Sequence, residues 1–208
     1  MNTITRRLEF DSGHALLGHE GMCAHLHGHR YVLEITVGPV YGGDLDNVGR
    51  VVDFQVIKHA LSPVIQTFDH AMILNGADPR YEMLEEHERL VNFGFKNPTA
   101  ENLALFFFSL ACWKFHTPPH GMENKSLDKH THDWLRHVLV TSARQQKGRL
   151  DAWGFASEVD VDNYLSAYPR ADDGVGGTMS KGHIIPPAST VSKVVVHETP
   201  NCKAEYSA

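Results

Sequence analysis

Apolar and polar residues alternate strictly from Tyr31 to Val37, with Tyr31, Leu33, Ile35 and Val37 on one parity and Val32, Glu34 and Thr36 on the other. A period of two predicts a half-buried strand, and the looser alternation from Ile4 to Phe10 predicts a second. Between Val40 and Val51 the run Tyr-Gly-Gly-Asp-Leu-Asp-Asn-Val-Gly-Arg is dense in turn formers and reads as a loop or hairpin tip. The period then changes. Phe54, Ile57, Leu61, Ile65 and Phe68 recur at spacings of three and four, which predicts an amphipathic helix from Asp53 to about Thr67, with Pro63 a candidate kink.

Asn97 followed by Pro98 supplies a cap and a first-turn proline for a helix from Thr99 to Trp113 that is apolar nearly all round and must be covered on more than one side. Val191–Glu198 and Ala204–Ser207 read as short strands around a Thr-Pro-Asn turn. The predicted order is strand, strand, helix, helix, strand, strand. Residues 114–190 differ in character: His116, His120, His130, His132, His137 and His183 stand among many polar residues. This stretch reads as an insertion within a single domain spanning 1–208, helical over Asp133–Lys147 and flexible from Tyr168 to Pro187, where Gly, Asp, Ser and Pro dominate. Its histidines match no recurrent ligand spacing and read as a solvated surface.

With 208 residues, 42% hydrophobic and 21% charged, the chain can bury one ordinary core. The longest apolar run, Leu103–Trp113, is about half of the roughly 20 residues a bilayer requires, so no membrane span is expected. Arg6, Arg7 and Glu9 leave no room for an apolar leader, and a cytoplasmic location is expected. Three scattered cysteines, Cys23, Cys112 and Cys202, do not make a disulfide framework and suggest free or catalytic thiols. A net charge of −6 argues against nucleic-acid binding. Fifteen histidines are the unusual feature, and they direct attention to metal or acid/base chemistry.

The densest signal is Cys23-Ala24-His25-Leu26-His27-Gly28-His29 at the mouth of the second strand. Alternation puts His27 and His29 on one face, and His14, ending the first strand, offers a third nitrogen. Three neutral histidines leave one tetrahedral position open, as a catalytic zinc needs. His25, by its position ahead of the strand, faces solvent or supports the ligands from behind. Read alone, a His-x-His pair in a His-rich chain is equally a surface cluster, and Asp69-His70 is equally a helix end with its cap.

Phe10–His14, Cys23–His29 with Arg30-Tyr31, Val51–Phe54, Phe68–His70 with Leu74-Asn75, Pro98–Asn102 and Val196–Pro200 together resemble the blocks of the 6-carboxytetrahydropterin and 6-pyruvoyltetrahydropterin synthase family, in family order. The resemblance covers residues 3–112 and 191–207. It implies an α+β tunnelling fold: a four-stranded antiparallel sheet with two helices on one face, assembled as trimers that pair into hexamers. It implies that His14, His27 and His29 bind zinc, that Cys23 is the general base, and that Asp69 and His70 complete the acid/base set. Glu198 would anchor the pterin through its N–H groups, with Glu101 and Thr99 as further ring contacts. Arg6, Arg7, Arg30 and Lys58 are candidates for the triphosphate. The three-residue gap between Cys23 and His27 resembles the bacterial type that acts in queuosine biosynthesis on 7,8-dihydroneopterin triphosphate, yielding 6-carboxy-5,6,7,8-tetrahydropterin, acetaldehyde and triphosphate. The alternatives are 6-pyruvoyl synthase activity on the same substrate, or a pterin-binding zinc protein without turnover.

Overall fold

The computed structural model describes residues 2–39, 45–115, 129–145, 158–166, 178–179, 183–184 and 189–207. Strand β1 (Ile4–His14) runs antiparallel to β2 (His27–Pro39), longer at its end than alternation alone indicated, so that His14 pairs with His27. Helix α1 (Phe54–Phe68) follows. Asp53 caps it by accepting from Gln55 N–H at 2.8 Å, and it runs through Pro63 without a break. Next come β3 (Ala71–Leu74), the short helix α2 (Arg80–Leu84), β4 (Leu90–Asn92) and α3 (Ala100–Phe115). Helices α4 (Lys129–Gln145) and α5 (Glu158–Ser166), the two-residue strands β5 (Thr178–Met179) and β6 (His183–Ile184), and the hairpin β7 (Ser189–Thr199) and β8 (Cys202–Ser207) complete the order.

The main sheet is six-stranded and mixed, in the order β4-β3-β1-β2-β7-β8. This corrects the expected four-stranded antiparallel sheet and its two helices. The antiparallel four are present as β1-β2-β7-β8, but β3 lies parallel to β1, with Ser12 opposite Ala71 and His14 opposite Ile73, and β4 lies parallel to β3. Strands of four and three residues are too short to show a period, and parallel pairing forms only once α1 has brought the chain back alongside β1.

Helices α1 and α3 pack on the sheet, α1 over β1 and α3 over β7 and β8. Phe10, Tyr31, Leu33, Ile35, Val194 and Val196 face them from the strands, and α3 contributes a nearly continuous buried surface. The all-round apolar character of α3 is accounted for: the sheet covers one side, while α1 and α4 touch others. Of the expected helix Asp133–Lys147, the structure shows an earlier start at Lys129 and helix through Gln145, with residues 146–147 outside the described residues. Trp134 joins α4 to the core, its ring edge-on to Phe93 and Phe106 and its N–H donated to Phe93 O at 2.9 Å. Gln145 then closes the β4 edge by accepting from Leu90 N–H at 3.0 Å, which protects a strand that would otherwise offer free backbone groups. The expected flexible stretch Tyr168–Pro187 lies almost wholly outside the described residues.

Lys114 sits 4% exposed on α3, donating to Tyr164 O with its Nζ 3.5 Å from the Tyr164 ring centre. Burial pushes its pKa down to about 7. The unfolded chain therefore binds more protons than the folded one between pH 7 and about 10.4, and stability rises with pH across that window, by up to roughly 4 kcal/mol. Lys114→Met is expected to be more stable than the parent at pH 7, with the gap closing by pH 10. Urea unfolding of both proteins at the two pH values checks this; a gap that does not close contradicts it.

Candidate metal centre and active site

The turn from β1 into β2 determines where the histidines fall. His14 ends β1, His27 begins β2 opposite it, and His29 follows two residues later on the same face. The three rings lie within 4.8 Å of one another by one nitrogen each, so they can hold a metal ion. His14 Nδ1–H donates to Pro98 O at 2.9 Å and His27 Nδ1–H donates to His25 O at 2.8 Å, because a carbonyl can only accept. In the neutral form each ring then presents a bare Nε2, and those two Nε2 atoms stand 3.0 Å apart. Two lone pairs that close repel unless a cation lies between them. Backbone carbonyls behind the ring and bare nitrogens in front are how a metal-ligating histidine is held.

Burial, together with the neighbouring imidazoles, drives the His14 pKa down to about 4, against the raising effect of its bond to Pro98; His29 is lowered by the same desolvation. Both are therefore neutral near pH 7, the form a metal requires. Glu198, on β7 next to the pairing of Val32 with His197, brings Oε1 to 3.4 Å from His14 Nε2 and 3.8 Å from His29 Nε2. Beneath them Tyr31 is fully buried, its hydroxyl without a hydrogen-bond partner among the described residues and its pKa raised by burial and by Glu198.

Cys23 lies half-buried in the one-turn 3-10 helix Met22–Ala24 that leads into β2. It forms no disulfide among the described residues, and neither do Cys112, whose pKa burial raises to about 12, and exposed Cys202. His25 is exposed and serves His27 through its carbonyl. Thr99 is the cap of α3, its Oγ1 accepting from Asn102 N–H at 3.3 Å, and Glu101 stands in the first turn. Asn97 is not the cap that its position before Pro98 suggested. Its side chain instead clamps the loop after His14, accepting from Leu17 N–H at 3.0 Å and donating to Leu17 O at 2.9 Å. Asn97 and Pro98 are thus site residues that a cap-and-proline reading concealed.

Asp69 and His70 are brought together with each other, Nδ1 to Oδ2 at 3.0 Å, at the end of α1. Asp69 accepts from Asp11 N–H at 2.9 Å and His70, at φ +54°, donates its N–H to Asp11 O at 2.7 Å. His70 lines a groove of about 420 Å³ with Asp11 and Arg30, which strand alternation turns away from the inward face of His14, and His29 of the histidine cluster borders the same groove. Arg30, a triphosphate candidate, is engaged there with Asp11 through two bonds of 2.9 Å. A Cβ on Gly13 would fall 2.5 Å from Met72 Cε, so the flexible Met72 side chain would have to move to admit one.

An α+β fold with a mixed sheet, and a three-histidine cluster able to hold a metal at the end of its central hairpin, define the class. The chain belongs to the 6-pyruvoyl tetrahydropterin synthase family, whose sequence model matches residues 3–119. Among curated proteins it is similar to the 6-carboxy-5,6,7,8-tetrahydropterin synthases of Rickettsia bellii, 47% identical over 108 residues that cover 50% of this chain and 76% of that one. The protein of the same name from Rickettsia felis is 43% identical over 109 residues, 50% and 75% of the two chains. An uncharacterised protein from Wolinella succinogenes shares the fold, with a TM-score of 0.52 and 16% identity over 99% of this chain and 97% of that one. Among the described residues no helix is long and apolar enough to cross a membrane.

Proposed function

We propose that the protein is a zinc-dependent lyase converting 7,8-dihydroneopterin triphosphate to 6-carboxy-5,6,7,8-tetrahydropterin, with release of acetaldehyde and triphosphate, in queuosine biosynthesis. The observation that carries the reading is the pair of Nε2 atoms from His14 and His27 at 3.0 Å, both left bare by their Nδ1 bonds, with His29 beside them. The names of the Rickettsia relatives support the product. Zinc held by the three imidazoles supplies a Lewis acid that lowers the pKa of the substrate's side-chain hydroxyls. Cys23 removes the proton from the adjoining carbon as a thiolate. Glu198, on the same face as the histidines, takes the N–H groups of the pterin, while Glu101 and Thr99 border the ring from the start of α3.

Asp69 and His70 lie toward the other face, so this reading brings them to the zinc of a second copy of the chain, in a trimer or hexamer. One consequence is testable by mixing. Cys23→Ala and His70→Ala are each expected to be inactive, and unfolding and reassembling them together restores about a quarter of the native activity, because each site then draws on two chains. No recovery in mixed oligomers contradicts the shared site.

The direct test is to incubate the purified, zinc-loaded protein with 7,8-dihydroneopterin triphosphate and follow acetaldehyde and the pterin by mass. Acetaldehyde with 6-carboxytetrahydropterin supports the reading. A 6-pyruvoyl product moves the protein to the sister activity, and no turnover with zinc bound leaves a pterin-binding protein.

A further inference from the structure

The loop between β1 and β2 carries Cys23, and what holds it is more specific than a turn of this length requires. Leu16 N–H bonds Cys23 O at 2.9 Å across the loop, and the Met22–Ala24 turn has no side-chain cap of its own. Asn97 clamps the start of this loop at Leu17, and a further tether, next to the thiol, comes from α2. Arg80, 56 residues further along the chain, donates Nη1–H to Ala24 O at 2.6 Å. Its guanidinium is aligned for this by Asp78, which accepts from Nε at 2.8 Å and from Nη2 at 2.6 Å.

Asp78 is 2% exposed, and the Arg80 guanidinium holds its carboxyl below the usual carboxylate range. It is fixed in turn by its N–H bond to Asn75 O at 2.9 Å and by accepting from Arg80 N–H at 3.0 Å. Asn75 directly follows β3, which pairs in register with the end of β1, Ile73 opposite His14. The chain of contacts therefore runs from the strand beside a metal ligand, through a buried carboxylate and a forked guanidinium, to the carbonyl next to the thiol. A fork held at three nitrogens has one orientation, unlike a single flexible donor.

We propose that Arg80, aligned by Asp78, is a positioning residue that sets the place of Cys23 relative to the histidine centre; the proposal deepens the reading of Cys23 as base and rests on it. Arg80→Gln removes the fork, and Arg80→Lys keeps a donor for Ala24 O while losing the two-point grip on Asp78. Loss of placement without loss of binding lowers kcat while KM stays within about twofold, and misplacement of about 1 Å costs on the order of 10²-fold.

The experiment measures kcat and KM with 7,8-dihydroneopterin triphosphate, zinc content, and the rate of iodoacetamide alkylation at Cys23 against pH, mapped by peptide mass, in the native protein and both variants. Expected are a kcat fall of roughly 10- to 100-fold in Arg80→Gln, a smaller fall in Arg80→Lys, unchanged zinc, and an alkylation profile at Cys23 altered several-fold in rate. If Arg80→Gln does not fold, Arg80→Lys carries the same comparison. An unchanged alkylation profile overturns the proposal whatever happens to kcat, and an unchanged kcat overturns it whatever happens to alkylation. Cys23→Ala, assayed alongside, separates the two ideas: if it keeps native turnover the base reading fails, while the alkylation profile still decides whether Arg80 places the thiol.

Discussion

His27→Ala is expected to fold, to lose its metal, and to show no measurable turnover. The side chain is only half-buried at the mouth of β2, so its removal opens no cavity in the core, which lies further along the strand at Tyr31, Leu33 and Ile35. What it removes is one of three imidazole nitrogens, the one 3.0 Å from His14 Nε2 and set by the bond to His25 O. Disturbing a group behind a metal ligand already weakens affinity by about 10- to 100-fold, and losing the ligand itself is expected to exceed that. Zinc content after dialysis, read together with a urea unfolding curve, checks both parts. A variant that keeps one zinc per chain would show that the centre is not built from these histidines.

The second large effect is expected at Cys23. Cys23→Ala keeps the zinc, since the three nitrogens and their carbonyl partners are untouched, and its turnover falls by roughly 10²- to 10⁴-fold, the usual contribution of a placed proton-transfer group. The pair of variants therefore separates two losses that a simple activity assay confuses. Metal and turnover disappear together at His27, whereas turnover alone disappears at Cys23. Zinc lost from Cys23→Ala would make the thiol a fourth ligand, and turnover retained within tenfold would remove it as the base.

Much of the site is legible in the order of residues because local geometry decides it. Two histidines one residue apart in a strand share a face whatever the rest of the chain does, and an antiparallel return that pairs His14 with His27 adds the third. The roles of Asn97, Pro98 and Arg80 were not legible, since each acts on a partner 56 to 84 residues away through a backbone carbonyl or amide, and backbone groups leave no mark in a sequence pattern. Cys23 and the Asp69–His70 pair were legible only through the resemblance.

The two long hairpin strands, the amphipathic α1 and the buried α3 follow from local residue order, because repeating periods of two and of three to four carry their own burial pattern. The extra parallel strands β3 and β4, the covering of the β4 edge by Gln145 and the groove that His70 lines come from the packed chain alone. Those features depend on residues distant in the chain meeting at one place. A short strand has no period to read, and its pairing exists only after the helix before it has packed on the sheet.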